Sequence, residues 1–117
     1  MATVLIVDDS TFQQNRVAST CESAGYSVLK ASTGEAGLEL IEKESPDVVI
    51  CDLLMPGMGG LGLLEKIQGK DGPDVIILTA DIQTSVKEQC FSLGAKAFLN
   101  KPPDEKELLS EIANIVG

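Results

Sequence analysis

Residues 3–10, TVLIVDDS, run five strand-forming residues straight into two adjacent carboxylates, Asp8 and Asp9. The apolar run is continuous rather than alternating, so a strand built from it must be covered on both faces. Two further runs share this character, DVVIC at 47–51 and DVIIL at 74–78. Two shorter and less apolar ones, SVLK at 27–30 and AFL at 97–99, suit the edges of a sheet.

The segments between these runs have helical periodicity. Residues 10–24 open on a capping box from Ser10 to Gln13 and stop at Gly25. This first helix is unusual, because Gln13, Arg16 and Thr20 fall where the sheet should be, with only Val17, Cys21 and Ala24 apolar. Residues 33–44 carry Ala36, Leu40 and Ile41; residues 59–68 carry Leu61, Leu64 and Ile67 and stop at Gly69. Residues 82–93 align Ile82, Val86, Cys90 and Leu93 before Gly94. Residues 104–116 open on a second capping box, Asp104 to Glu107, and bury Leu108, Leu109, Ile112 and Ile115. Five βα units with right-handed crossovers predict one α/β domain over 1–117. Its sheet is doubly wound, five-stranded and parallel, in flavodoxin-like order 2-1-3-4-5.

A chain of 117 residues holds one compact core. The net charge of −9 opposes binding to nucleic acid or anionic membranes and favours a cation or a basic protein surface. There is no histidine, which removes the usual general base and the commonest zinc ligand. Cys21, Cys51 and Cys90 are isolated and read as reduced core thiols of a cytoplasmic protein. No run approaches membrane-spanning length, and no signal segment opens the chain.

In such a sheet, ligands bind beyond the carboxyl ends of the strands. Asp8 and Asp9 follow strand 1, Asp52 follows strand 3, Thr79 follows strand 4 and Lys101 follows strand 5. Three carboxylates converging on one rim need counter-charge. Lys101 supplies one, and a hard divalent cation such as Mg²⁺ would supply the rest, with a phosphate oxygen among its partners. Asp52 is then free to act as a nucleophile that takes up a phosphoryl group. The glycine-rich turn after it (Pro56, Gly57, Gly59, Gly60) lets backbone approach closely. Each residue alone has a plainer use: Asp9 and Ser10 as a helix cap, Thr79 as a strand-end hydroxyl, Lys101 as a loop lysine, Phe98 as core. Five such coincidences on one rim favour the functional reading.

These motifs, VDDS (7–10), DLLMPGMGG (52–60), LTA (78–80) and LGAKAFLNKP (93–102), taken in order, resemble the receiver domain of bacterial two-component response regulators over essentially the whole chain. The resemblance implies that Asp52 is the phosphoacceptor, charged by a phosphohistidine of a sensor kinase or phosphotransfer protein. It implies Mg²⁺ held by Asp9, Asp52 and the backbone carbonyl of Leu54, with Asp8 acting through a metal-bound water. Thr79 and Lys101 would each meet a phosphoryl oxygen, and the peptide before Pro102 would be cis. Phe98 occupies the switch-aromatic position. It would turn inward as Thr79 moves, remodelling the face of helix 4, strand 5 and helix 5. Gln14 stands where many relatives carry a basic residue and Gly59 where many carry a polar one, which bears on the partner-facing surfaces. Leu54 and Asp81 hold positions that influence acyl-phosphate lifetime.

The implied protein is a stand-alone signalling phosphoacceptor, as in chemotaxis or a phosphorelay, with a receiver cut from a larger protein as the alternative, and not an enzyme acting on other substrates. It would be a monomer able to pair on phosphorylation, with a phosphorylation-dependent protein target. Two other classes fit less well. A phosphatase of the haloacid dehalogenase type wants its nucleophile after strand 1 and a second Asp two residues on, where Leu54 stands. A flavodoxin-like electron carrier would place flavin phosphate against the acids that end strand 1.

Overall fold

A computed structural model describes residues 2–67, 72–80 and 84–117. Strands β1 (Thr3–Val7), β2 (Ser27–Ala31), β3 (Val48–Asp52), β4 (Asp74–Thr79) and β5 (Ala97–Asn100) alternate with helices α1 (Thr11–Ser23), α2 (Gly34–Glu44), α3 (Gly60–Ile67), α4 (Thr84–Ser92) and α5 (Glu105–Val116). The strands form one parallel sheet in the order β2-β1-β3-β4-β5, as the sequence predicts.

The continuous apolar runs have their explanation in two core layers. Val4 and Ile6 of β1, Val48 and Ile50 of β3, and Ile76 and Leu78 of β4 face α1 and α5, against Val17, Ala18, Cys21, Leu108 and Ile112. The alternate residues Leu5, Val7, Val49, Cys51, Val75 and Ile77 face the other way. They meet Leu63 and Leu64 of α3 and Cys90 of α4. Each fully buried Leu, Ile or Val contributes about 1.5–3 kcal/mol of apolar burial, which makes the three central strands the anchor of the fold.

The expected inner face of α1 is one position out of register. Its buried residues are Gln14, Val17, Ala18 and Cys21, an i, i+3, i+4, i+7 set, while Arg16 and Ala24 are exposed. The helix is well packed; its inner face simply includes one amide. The Ser10 capping box also closes only by half. Ser10 Oγ accepts the Gln13 N–H at 3.3 Å, but the Ser10 N–H goes to Asp8 Oδ1 at 2.9 Å, leaving the Gln13 side chain no role in the cap. The first strand stands at 3–7 as expected, and the other described boundaries agree or shift by one or two residues. The third strand runs 48–52 rather than 47–51, so Asp52 is its last residue, and Asp47 instead accepts the Thr3 N–H at 2.8 Å. Ile82, expected on α4, and the expected stop of α3 at Gly69 lie outside the described residues.

Among the described residues no helix is long and apolar enough to cross a membrane. Cys21, Cys51 and Cys90 are free and buried. Burial, with a smaller push from Glu22, raises the Cys21 thiol from 9.0 to about 11, and burial raises Cys51 and Cys90 as well. An unfolded chain therefore sheds thiol protons from about pH 9 that the folded chain keeps, and stability falls as pH rises through that range. Urea unfolding is expected to show a lower midpoint at pH 10.5 than at pH 8, with part of the drop removed in Cys21→Val.

Candidate functional site

The strand ends finish in step. Val7 is level with Cys51 across β1 and β3, Asp52 with Leu78 across β3 and β4, and Thr79 with Asn100 across β4 and β5. That alignment delivers Asp8, Asp52, Thr79 and Lys101 to one rim. Asp8 and Asp52 are 3% and 8% exposed and Thr79 is 1% exposed, whereas Asp9 is open to solvent. One carboxylate oxygen from each of Asp8, Asp9 and Asp52 lies within 4.8 Å of the others.

Lys101 spans the two buried acids. Its Nζ sits 2.9 Å from Asp8 Oδ2 and 2.9 Å from Asp52 Oδ2. The turn that carries it is tied to the sheet by a bond from the Lys101 N–H to the Thr79 carbonyl at 2.9 Å, and the Lys101–Pro102 peptide is cis. Asp8 is held on every side. Its N–H donates to the Ala31 carbonyl at 3.0 Å, its Oδ1 accepts the Ser10 N–H, and its own carbonyl accepts from Gln14 Nε2 at 3.2 Å. Asp52 Oδ1 takes a long bond from the Leu54 N–H at 3.4 Å.

Burial pushes the Asp52 carboxyl above its ordinary value. The Lys101 hydrogen bond and charge oppose that push, and the neighbouring Asp8 charge adds to it. Burial works against the Lys101 ammonium, yet its bonds to Asp8 and Asp52 and their charges win and hold its pKa above the usual lysine range. The two acids and the amine thus depend on each other: each buried carboxylate tolerates its position because of the same ammonium.

The loop after Asp52 is built around backbone contact. A Cβ on Gly59 would stand 2.3 Å from the Leu53 carbonyl oxygen, the atom that also accepts the Gly60 N–H at 3.1 Å. Gly34 at the start of α2 and Gly62 in α3 both abut Met58, so the loop is wedged between two helices. At Gly59 the close approach expected of the glycine-rich turn is to the Leu53 backbone. Leu54 points its side chain into solvent at 63% exposure. Phe98 is half-buried against the second core layer, level with Ile77 and two residues short of the rim. Asp81 lies outside the described residues.

Sequence reasoning missed Gln14 as an internal residue. It is 7% exposed, and its amide donates to the carbonyls of both Asp8 and Ala31. The signal was its spacing from Val17, Ala18 and Cys21, hidden by the choice of a register that favoured apolar residues.

The family profile of the response regulator receiver domain matches residues 4–113. The chain belongs to that family. This receiver domain is 38% identical to Protein PilH of Pseudomonas aeruginosa, an alignment that takes in all of this chain and 99% of PilH. It is 33% identical to the heme response regulator HssR of Staphylococcus aureus, where 99% of the chain matches 52% of the relative. Among solved structures, the chemotaxis protein CheY4 of Vibrio cholerae superposes with a TM-score of 0.91 at 30% identity, over 98% of each chain. Receiver domains belong to two-component signalling, and the paired acids, the strand-end Asp and the strand-end Lys occupy the rim of that fold here.

Proposed function

We propose that this receiver domain accepts a phosphoryl group on Asp52 and passes the signal on by phosphorylation-dependent docking to a protein target. The observation that carries the reading is the bridged pair: Lys101 Nζ is equidistant from Asp8 and Asp52, with the exposed Asp9 carboxylate in reach of both. Three carboxylates against one ammonium leave an excess of negative charge on the rim. The donors are hard oxygens, with no histidine in the chain and every cysteine buried as a thiol, a set that suits Mg²⁺ and not zinc.

Asp9, Asp52 and the Leu54 carbonyl would hold the ion, with Asp8 behind them. When bound, Mg²⁺ supplies positive charge against the phosphoryl oxygens. The chain's own residues do the rest. An Asp52 carboxylate oxygen attacks the phosphorus of a phosphohistidine, the N–P bond breaks, and the imidazole leaves. Asp52 is poorly solvated and sits beside Lys101, so its attack does not wait on the loss of a full hydration shell. Lys101 and Thr79 each neutralise or bond a phosphoryl oxygen as charge moves onto it. Attack by water on the acyl phosphate restores the carboxylate and resets the domain. Thr79, drawn to the phosphoryl group, and Phe98, half-buried on the adjoining strand, form the route to the face of α4, β5 and α5.

The metal part is tested by thermal unfolding. A ligand at ten times its Kd stabilises by about 1.4 kcal/mol, which for a domain of this size raises Tm by about 5 °C. Mg²⁺ is expected to give such a rise in the wild type and none in Asp9→Asn. An equal rise in both would remove Asp9 from the metal site.

A further inference from the structure

We propose that Gln14 is a positioning residue for the metal-binding rim, acting on Asp9 through the peptide that joins it to Asp8. The inference rests on the Mg²⁺ reading above.

Asp9 is the exposed member of the acidic trio, and its carboxylate has no ion pair among the described residues. With no ion pair to hold it, its reach toward the rim starts from where the backbone places its Cα–Cβ bond. The Asp8 carbonyl and the Asp9 N–H belong to one planar peptide unit, so fixing the carbonyl fixes the plane from which the Asp9 side chain departs. Gln14 Nε2 donates to that carbonyl at 3.2 Å. The same nitrogen donates to the Ala31 carbonyl at 2.9 Å, the atom that also accepts the Asp8 N–H at 3.0 Å. One amide nitrogen thus uses both of its protons to close a ring through Asp8 and Ala31 at the ends of two neighbouring strands.

The contact is costly to lose, because the Gln14 side chain is buried and its removal strips a donor from two carbonyls at once. It is also directional. A methionine fills nearly the same space and donates nothing, so it leaves packing in place and frees the peptide to tilt. The inner position of α1 thereby ties metal affinity to the packing of that helix on the strand ends.

The experiment compares Mg²⁺ binding by calorimetry in wild type, Gln14→Met and Val17→Ala, at a temperature where all three are folded, with the Asp9 amide followed by ¹⁵N NMR. Val17 lies one turn along the same buried face and has no donor to offer either carbonyl, so Val17→Ala reports the effect of lost stability alone. The expected result is Mg²⁺ binding at least fivefold weaker in Gln14→Met, with the Asp9 amide displaced in the metal-free spectrum, and binding within twofold of wild type in Val17→Ala. Binding within twofold of wild type in Gln14→Met, or equal weakening in both variants, overturns the inference. A wild type that takes up no Mg²⁺ overturns the metal reading and this inference with it. Where Gln14→Met does not fold, Gln14→Asn carries the test, since its amide is one methylene too short to keep both bonds.

Discussion

Lys101→Met is expected to slow phosphoryl uptake at Asp52 by about a hundredfold, the loss that follows removal of one preorganised charge at a transferring group. The variant keeps the apolar stem and loses only the ammonium that stands 2.9 Å from both Asp8 and Asp52. Two buried carboxylates are then left facing one another, and the Asp52 carboxyl, already raised by burial, loses the partner that opposes the rise. Stability at pH 7 is expected to fall by about 2 kcal/mol, the scale of a charged hydrogen bond lost from a partly buried site. The sign of its pH dependence follows. A raised carboxyl pKa means that the folded variant takes up a proton more readily than the unfolded chain, so the variant recovers stability as pH falls and loses it as pH rises. Urea unfolding at pH 7 and pH 5, with and without Mg²⁺, checks this. The deficit should shrink at the lower pH and shrink again when Mg²⁺ is added at pH 7. A deficit that is the same under all conditions would mean that Lys101 contributes packing and not charge.

Gly59→Ala is expected to lower stability by about 3 kcal/mol, in the range reserved for steric conflict with immovable atoms. The added methyl would meet the Leu53 carbonyl oxygen at 2.3 Å, and that obstacle is backbone rather than the tip of a flexible side chain. The Leu53 carbonyl also accepts the Gly60 N–H, so moving it breaks the bond that ties the start of α3 to the loop. The displaced loop begins one residue after Asp52, and phosphoryl uptake should fall with stability. Gly57→Ala is the control in the same loop. Gly57 has φ +76°, which costs a side chain about 1 kcal/mol, but the nearest atom to its Cβ is Glu35 Oε2 at 3.8 Å. Urea midpoints should rank wild type above Gly57→Ala and Gly57→Ala above Gly59→Ala. Equal costs would show that backbone strain, and not the approach of Leu53, governs the loop.

The parallel sheet was legible because its three central strands are apolar on both faces, a pattern with few alternatives. The rim was legible because carboxylates, a hydroxyl and an amine follow those strands in chain order. Thr79 and Lys101 are weak signals alone and strong ones once the sheet order places them beside Asp52. What sequence did not give was governed by contacts between distant backbone segments. The burial of Gln14 depends on two carbonyls that lie 6 and 17 residues away. The requirement for glycine at 59 depends on the path of the chain at Leu53, which no local pattern encodes. The Ser10 cap was half right because Asp8 competes for the N–H that a capping box assigns to residue 13. In each case a polar backbone group found a better partner through the tertiary fold than the local motif offers.

The central claim is that Asp52 takes a phosphoryl group in a metal-dependent reaction. Intact mass after incubation with acetyl phosphate, on wild type and Asp52→Asn, with Mg²⁺ and with EDTA, addresses it most directly. The account predicts a single phosphoryl adduct in the wild type with Mg²⁺, and none in Asp52→Asn or with EDTA. An adduct that persists in Asp52→Asn, or one that forms equally well in EDTA, would contradict it.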